Sequence, residues 1–191
     1  MTRLPFSRIE AQAIAALAPN SVSMFLGFDA TRERAVGGAL ADYRFVHFAT
    51  HGVVNQTLPS LSSLVLSLVD RAGRPRDGFV MLPDVYDMTL NADVVVLSGC
   101  QTALGKDVRG EGPIGLARGF MYAGVPRVVA SLWQVDDLAT AELMRRFYRG
   151  VLVDRLTPAA ALRAAQRQLA ATSRWHSPYF WAPFVLQGDW R

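Results

Sequence analysis

A thiol and an imidazole are the two groups in this chain whose types and placement could do covalent chemistry. Cys100 is the single cysteine among 191 residues. It follows the apolar run Asp93–Leu97 and the Ser98-Gly99 break at once. A second apolar run, Phe45–Thr50, ends in His51-Gly52. If the two runs are neighbouring parallel strands, His51 and Cys100 leave the same edge of one sheet. Open α/β sheets place their chemistry at the carboxyl ends of strands. An imidazole there could deprotonate the thiol, and the thiolate is the true nucleophile.

The elements that must deliver these residues read as a layered α/β domain. Val94, Val95 and Val96 are β-branched, and apolar side chains on both faces suit a central parallel strand covered by helices on each side. Upstream, Ser7–Ala18 has helical spacing, with Ser7 as N-cap and Glu10 three residues on in a capping-box pattern. Val22–Phe28 reads as a short strand and Thr31–Tyr43 as a helix weakened by Gly37-Gly38. Arg44–Thr50 is the strand that carries His51. Leu64–Val69 and Phe79–Leu82 can pair as a hairpin, with a short helix at Pro83–Met88. Gly105–Gly112, with three glycines, is a mobile surface loop by composition, and Pro113 suits the first turn of a helix running on through Ile114–Ala123. Val125–Trp133 is a third central strand. Asp136 or Asp137 caps a helix over Leu138–Val151, and Thr157-Pro158 opens another to about Ala171. Phe180–Leu186 is a final strand, and Pro183 argues for an edge position or a bulge.

Composition limits the functional classes. Apolar residues make up 51%, ample for a core in one domain spanning residues 1–191. One cysteine excludes a disulfide framework and a multi-cysteine metal site, and it fits a reducing cytoplasm. The opening residues lack the apolar region of a signal peptide, and no window suits a membrane span. Net charge is +4, carried by 19 Arg against the single Lys106. That bias, with abundant Ala, points to a GC-rich bacterial coding sequence. The arginines are scattered and not interleaved with aromatics, so no nucleic-acid partner is expected. The three histidines have no metal-ligand spacing, and neither metal nor cofactor is expected. His47 lies four residues before His51 and reads as a packed core histidine. His176, beside Ser177-Pro178, reads as a surface-loop residue.

Five stretches carry a family resemblance: FATHG (Phe48–Gly52), LSGCQT (Leu97–Thr102), GEGPIGLA (Gly110–Ala117), ASLWQVDD (Ala130–Asp137) and WAPFVLQG (Trp181–Gly188). Together they resemble the CHAT domains of the caspase-like and separase-like cysteine peptidases. The separation of His51 from Cys100 is close to the roughly 50 residues of caspases, although the caspase cysteine motif itself is absent. The resemblance runs from about Leu4 to Arg191. Family members carry a further upstream strand ending in an LPF-like sequence, of which only Leu4-Pro5-Phe6 stands here.

This resemblance implies a caspase-like three-layer sandwich with a mostly parallel central sheet. It implies a cysteine endopeptidase with a His51–Cys100 dyad and no third carboxylate. The N–H groups of Gly52 and Cys100 would form the oxyanion hole; a simple turn glycine is the alternative at position 52. Ser98, Trp133, Asp136 and Asp137 would stand beside the primary specificity pocket, where a carboxylate favours a substrate Arg or Lys. One of the two aspartates serves equally well as a helix cap, and Trp133 as core. The substrate would be a protein or peptide. A regulatory partner, an upstream segment or adjoining helical repeats would order the Gly105–Gly112 loop. Two other classes stay open: a catalytically silent CHAT-fold interaction module, and a thiol acyltransferase or amidase acting on small molecules.

Overall fold

The structure is a computed structural model, and it describes residues 4–55, 57–99, 106–108, 112–133 and 136–191. Helix α1 (Ser7–Ala15) opens the described chain. Phe6, not Ser7, is its N-cap; the Ser7 hydroxyl instead donates to the Leu4 carbonyl at 2.9 Å. The expected capping box is therefore not formed, because Glu10 is drawn inward to His47. Val22–Phe28 is not a strand. Gly27 turns it with φ 56°, and its side chains find local partners: the Arg34 guanidinium sits 4.5 Å over the Phe25 ring, and Ser23 Oγ accepts from the Tyr43 hydroxyl. Thr31 caps α2 (Arg32–Val36), accepting from Arg34 N–H. Gly37-Gly38 ends that helix early, and Ala39–Asp42 continues as a separate 3-10 turn after Gly38 at φ 86°.

The next elements carry the candidate site. Strand β1 (Phe45–Phe48) is followed by β2 (His51–Val53), β3 (Ser63–Val65) and β4 (Phe79–Met81). The expected hairpin forms as β3 against β4, and β2 joins it in a three-stranded antiparallel sheet. Helix α3 (Leu82–Tyr86) leads to β5 (Val94–Leu97). Within the stretch expected to be a mobile loop leading into an early helix, β6 (Lys106–Val108) and β7 (Gly112–Ile114) form an antiparallel ladder. Pro113 stands in that ladder, and α4 begins later, at Leu116–Tyr122. Then come β8 (Arg127–Ser131), α5 (Asp137–Leu152) and α6 (Pro158–Ala170). The last elements are α7 (Pro178–Trp181) and β9 (Phe184–Gly188). The final strand starts only after Pro183, since Pro178 opens a helical turn that uses the residues expected to be strand. It lies at the sheet edge, as Pro183 suggested.

The main sheet has the order β1-β5-β8-β9. β1, β5 and β8 are parallel, and β9 is antiparallel to β8. Alternation along β5 splits the core in two. Val95 and Leu97 pack with Phe48, Val85, Leu116 and Phe120 on one face. Val94 and Val96 pack with Leu143, Phe147, Leu162 and Phe184 on the other. Burying each such side chain stabilises the fold by about 1.5–3 kcal/mol. The result is the mostly parallel, three-layer α/β sandwich expected from the caspase-like resemblance.

Candidate functional site

Strand register brings the two motifs to one end of the sheet. Phe45 lies opposite Val94 and Phe48 opposite Leu97, 49 positions apart in each case. The ladder continues one step further, with Ser98 N–H donating to the Phe48 carbonyl at 3.1 Å. Gly99 then passes so close to the other strand end that no side chain fits. A Cβ there would overlap the Thr50 carbonyl and lie 3.2 Å from Gly52 N. The Gly99 carbonyl also accepts from the Ser131 hydroxyl at the end of β8. The backbone leading to position 100 is thus clamped between the ends of β1 and β8. Cys100 itself lies outside the described residues, as do 101–105, which hold the start of the expected loop, and 109–111. His51 opens β2 opposite Val65, and Gly52 is opposite Leu64.

Beside this junction is a small pocket lined by Leu4, Ser7, Glu10, Ala49, Ser98, Asp137 and Thr140. Two of the four residues expected at a specificity pocket, Ser98 and Asp137, line it. The other two are used elsewhere. Asp136 caps α5, its carboxylate accepting from Ala139 N–H at 2.8 Å. Trp133 donates its indole N–H to the Tyr179 carbonyl of α7 at 3.2 Å. The cap position faces the helix it serves, which frees its neighbour Asp137 to face the pocket.

The pocket is acidic. Burial, then the Asp136 and Glu10 carboxylates, push the Asp137 carboxyl above the ordinary aspartate range, and His51 pulls it back. Asp137 therefore lies within electrostatic reach of His51 as well as lining the pocket. Glu10 is 4% exposed and its Oε1 sits 2.9 Å from His47 Nε2. His47 Nδ1 is 3.2 Å from the Tyr148 hydroxyl. The two ring nitrogens of His47 face the Glu10 carboxyl on one side and the Tyr148 hydroxyl on the other. Burial and the Glu10 charge push the Tyr148 phenol up, so it remains a donor. His47 is thus the hydrogen-bonded core histidine its place in β1 suggests. His176 stands in the loop before α7, its Nδ1 3.1 Å from the Ser173 carbonyl. Sequence reasoning missed Glu10 as a pocket residue, because an acidic side chain one turn into a helix reads first as a cap.

A family model described as the CHAT domain matches residues 1–189. The chain belongs to the CHAT-domain family. Two curated relatives are similar to it, both named Tetratricopeptide repeat protein 28. The human protein is 30% identical over 195 residues and the mouse protein 28% over 199. Each match covers 86% of this chain and 8% of the relative, so this CHAT domain spans a small fraction of the proteins it matches. Among the described residues, no helix is long and apolar enough to cross a membrane, and no group of three or more His, Cys, Asp and Glu is gathered to hold a metal ion.

Proposed function

We propose that this CHAT domain is a cysteine endopeptidase that works through His51 and Cys100. The observation that carries the reading is the β1–β5 register. The ladder pairs positions 49 apart, which is also the spacing of His51 and Cys100. In this reading the Cys100 thiolate attacks the scissile carbonyl carbon, a C–S bond forms, and the carbonyl electron pair moves to oxygen. The N–H groups of Gly52 and Cys100 receive that oxyanion. As the C–N bond breaks, His51 gives its proton to the leaving amine, and water then releases the acyl group from sulfur. A basic side chain before the scissile bond is met by the Asp137 carboxylate at the rim of this small pocket, where its charge offsets the crowding of Asp137 by Asp136 and Glu10.

The test combines thiol labelling with a peptide-library cleavage profile for the wild type, Cys100→Ala and His51→Ala. Cleavage after Arg or Lys, lost in both variants, is expected. Labelling should be abolished by Cys100→Ala and shifted to higher pH by His51→Ala. An unchanged labelling profile in His51→Ala, with no turnover in the wild type even beside a candidate partner, would overturn the peptidase reading. That outcome favours the second reading, a catalytically silent interaction module. It draws on the curated relatives, whose name refers to tetratricopeptide repeats and of which this domain matches only a small part. The same relation supports a regulatory partner or adjoining repeat segment for the active enzyme.

A further inference from the structure

The end of the sheet opposite the His51 junction carries a second concavity. It is a cavity of about 390 Å³ lined by Arg44, Phe45, Asp93, Arg127, Leu152 and Arg155, with further apolar wall from Val151, Leu156 and Pro158. Arg44 and Asp93 immediately precede β1 and β5, and Arg127 begins β8, so the amino ends of all three parallel strands meet here. Three guanidinium groups and one carboxylate line it; Asp93 is held by Arg44 at 2.6 Å, and Asp189, outside the lining, pairs with Arg127. Of the other two cations, Arg127 is paired outside the cavity lining and Arg155 is not paired among the described residues. Arg127 reaches Asp189 at 3.3 Å and the Arg191 carbonyl at 2.7 Å through one terminal nitrogen, yet its Nε–H is buried without an acceptor. A buried N–H of this kind is uncommon.

Arg155 has no hydrogen-bond or ion-pair partner among the described residues. It also holds φ 57°, the one non-glycine positive φ among them. It stands in the turn after α5, where glycine is the cheaper occupant. A strained backbone that keeps an unpaired cation at a cavity mouth is a pointer to function. Pro158 opens the 13-residue α6, so the cavity also borders the positive end of that helix. Phe45, Val151, Leu152 and Leu156 supply apolar wall.

From these features we propose that the Arg44–Arg127–Arg155 cavity binds a small phosphate ester with an apolar or aromatic body, of nucleotide size. The phosphoryl oxygens accept from the Arg155 guanidinium, with the Arg127 guanidinium adding positive charge at the wall, and Phe45 and Leu152 pack against the body. The volume lies in the range of ordinary small-ligand pockets.

The test is calorimetric titration of the purified chain with adenosine monophosphate, adenosine triphosphate and inorganic phosphate. Arg155→Gly removes the guanidinium and relaxes the turn, so the variant should fold at least as well as the wild type. It should lower nucleotide affinity about tenfold or more, the loss of one charge-assisted contact. Arg71→Ala is the control: it makes the same change in net charge at an exposed ion pair with Asp29, outside this cavity, and should leave binding unchanged. Inorganic phosphate should bind more weakly than the nucleotides. No binding of any nucleotide at millimolar concentration would overturn the proposal. So would equal loss in Arg155→Gly and Arg71→Ala, or binding of a glutamate-rich peptide in preference to the nucleotides.

Discussion

Replacing Glu10 by Ala tests the link between α1 and the sheet. The Glu10 and His47 side chains are 5% and 13% exposed, and they meet at 2.9 Å. The Ala variant loses one hydrogen bond to a charged group, about 1.5–3 kcal/mol, and leaves His47 Nε2 without its partner, a further 1–3 kcal/mol. Together these lower Tm by roughly 5–24 °C for a chain of this size. Glu10→Gln keeps the shape and an acceptor oxygen, so its loss should be about 1–2 kcal/mol. Urea unfolding at neutral pH measures both, and hydrogen exchange should rise across α1, whose Ser7 lines the acidic pocket with Leu4 and Glu10. In a double-mutant cycle with His47→Ala the two losses should fall short of additivity by about 0.5–3 kcal/mol. An Ala variant within about 0.5 kcal/mol of wild type, with an unchanged m-value, would refute the reasoning: the pair would then be a surface-like contact.

Three further outcomes are expected. Gly99→Ala should unfold more easily by about 1–3 kcal/mol or more, because its Cβ overlaps the Thr50 carbonyl; an unchanged Tm would show that the strand ends are not clamped there. Asp136→Ala should cost about 1 kcal/mol through the lost cap on Ala139 N–H, read as a lower urea midpoint, and no shift in midpoint would count against the cap. Asp137→Asn should be more stable than wild type near neutral pH. The folded-state pKa of Asp137 is raised, chiefly by burial, so the stability this group contributes is full below its unfolded pKa and is lost as pH rises through the folded value. The gap between variant and wild type should therefore close as pH falls into the carboxylate range; a gap that widens on acidification would reverse the assigned sign.

The sequence by itself determined the central strands, the helices that cover them and the two motifs at their ends. These are local signals: β-branched runs such as Val94–Val96, the Thr157-Pro158 helix start and the glycines after each strand. It also narrowed the α5 cap to Asp136 or Asp137, but either side chain satisfies capping chemistry. Only the direction in which α5 leaves β8 made Asp136 the cap and turned Asp137 to the pocket. Val22–Phe28 has strand composition, yet a strand needs a partner ladder, and Gly27 turns that segment into local contacts instead. Glu10 satisfies a local capping rule and departs from it. A buried imidazole 37 positions away offers a stronger hydrogen bond than a solvent-exposed helix end, and that partner exists only once α1 has packed against the sheet.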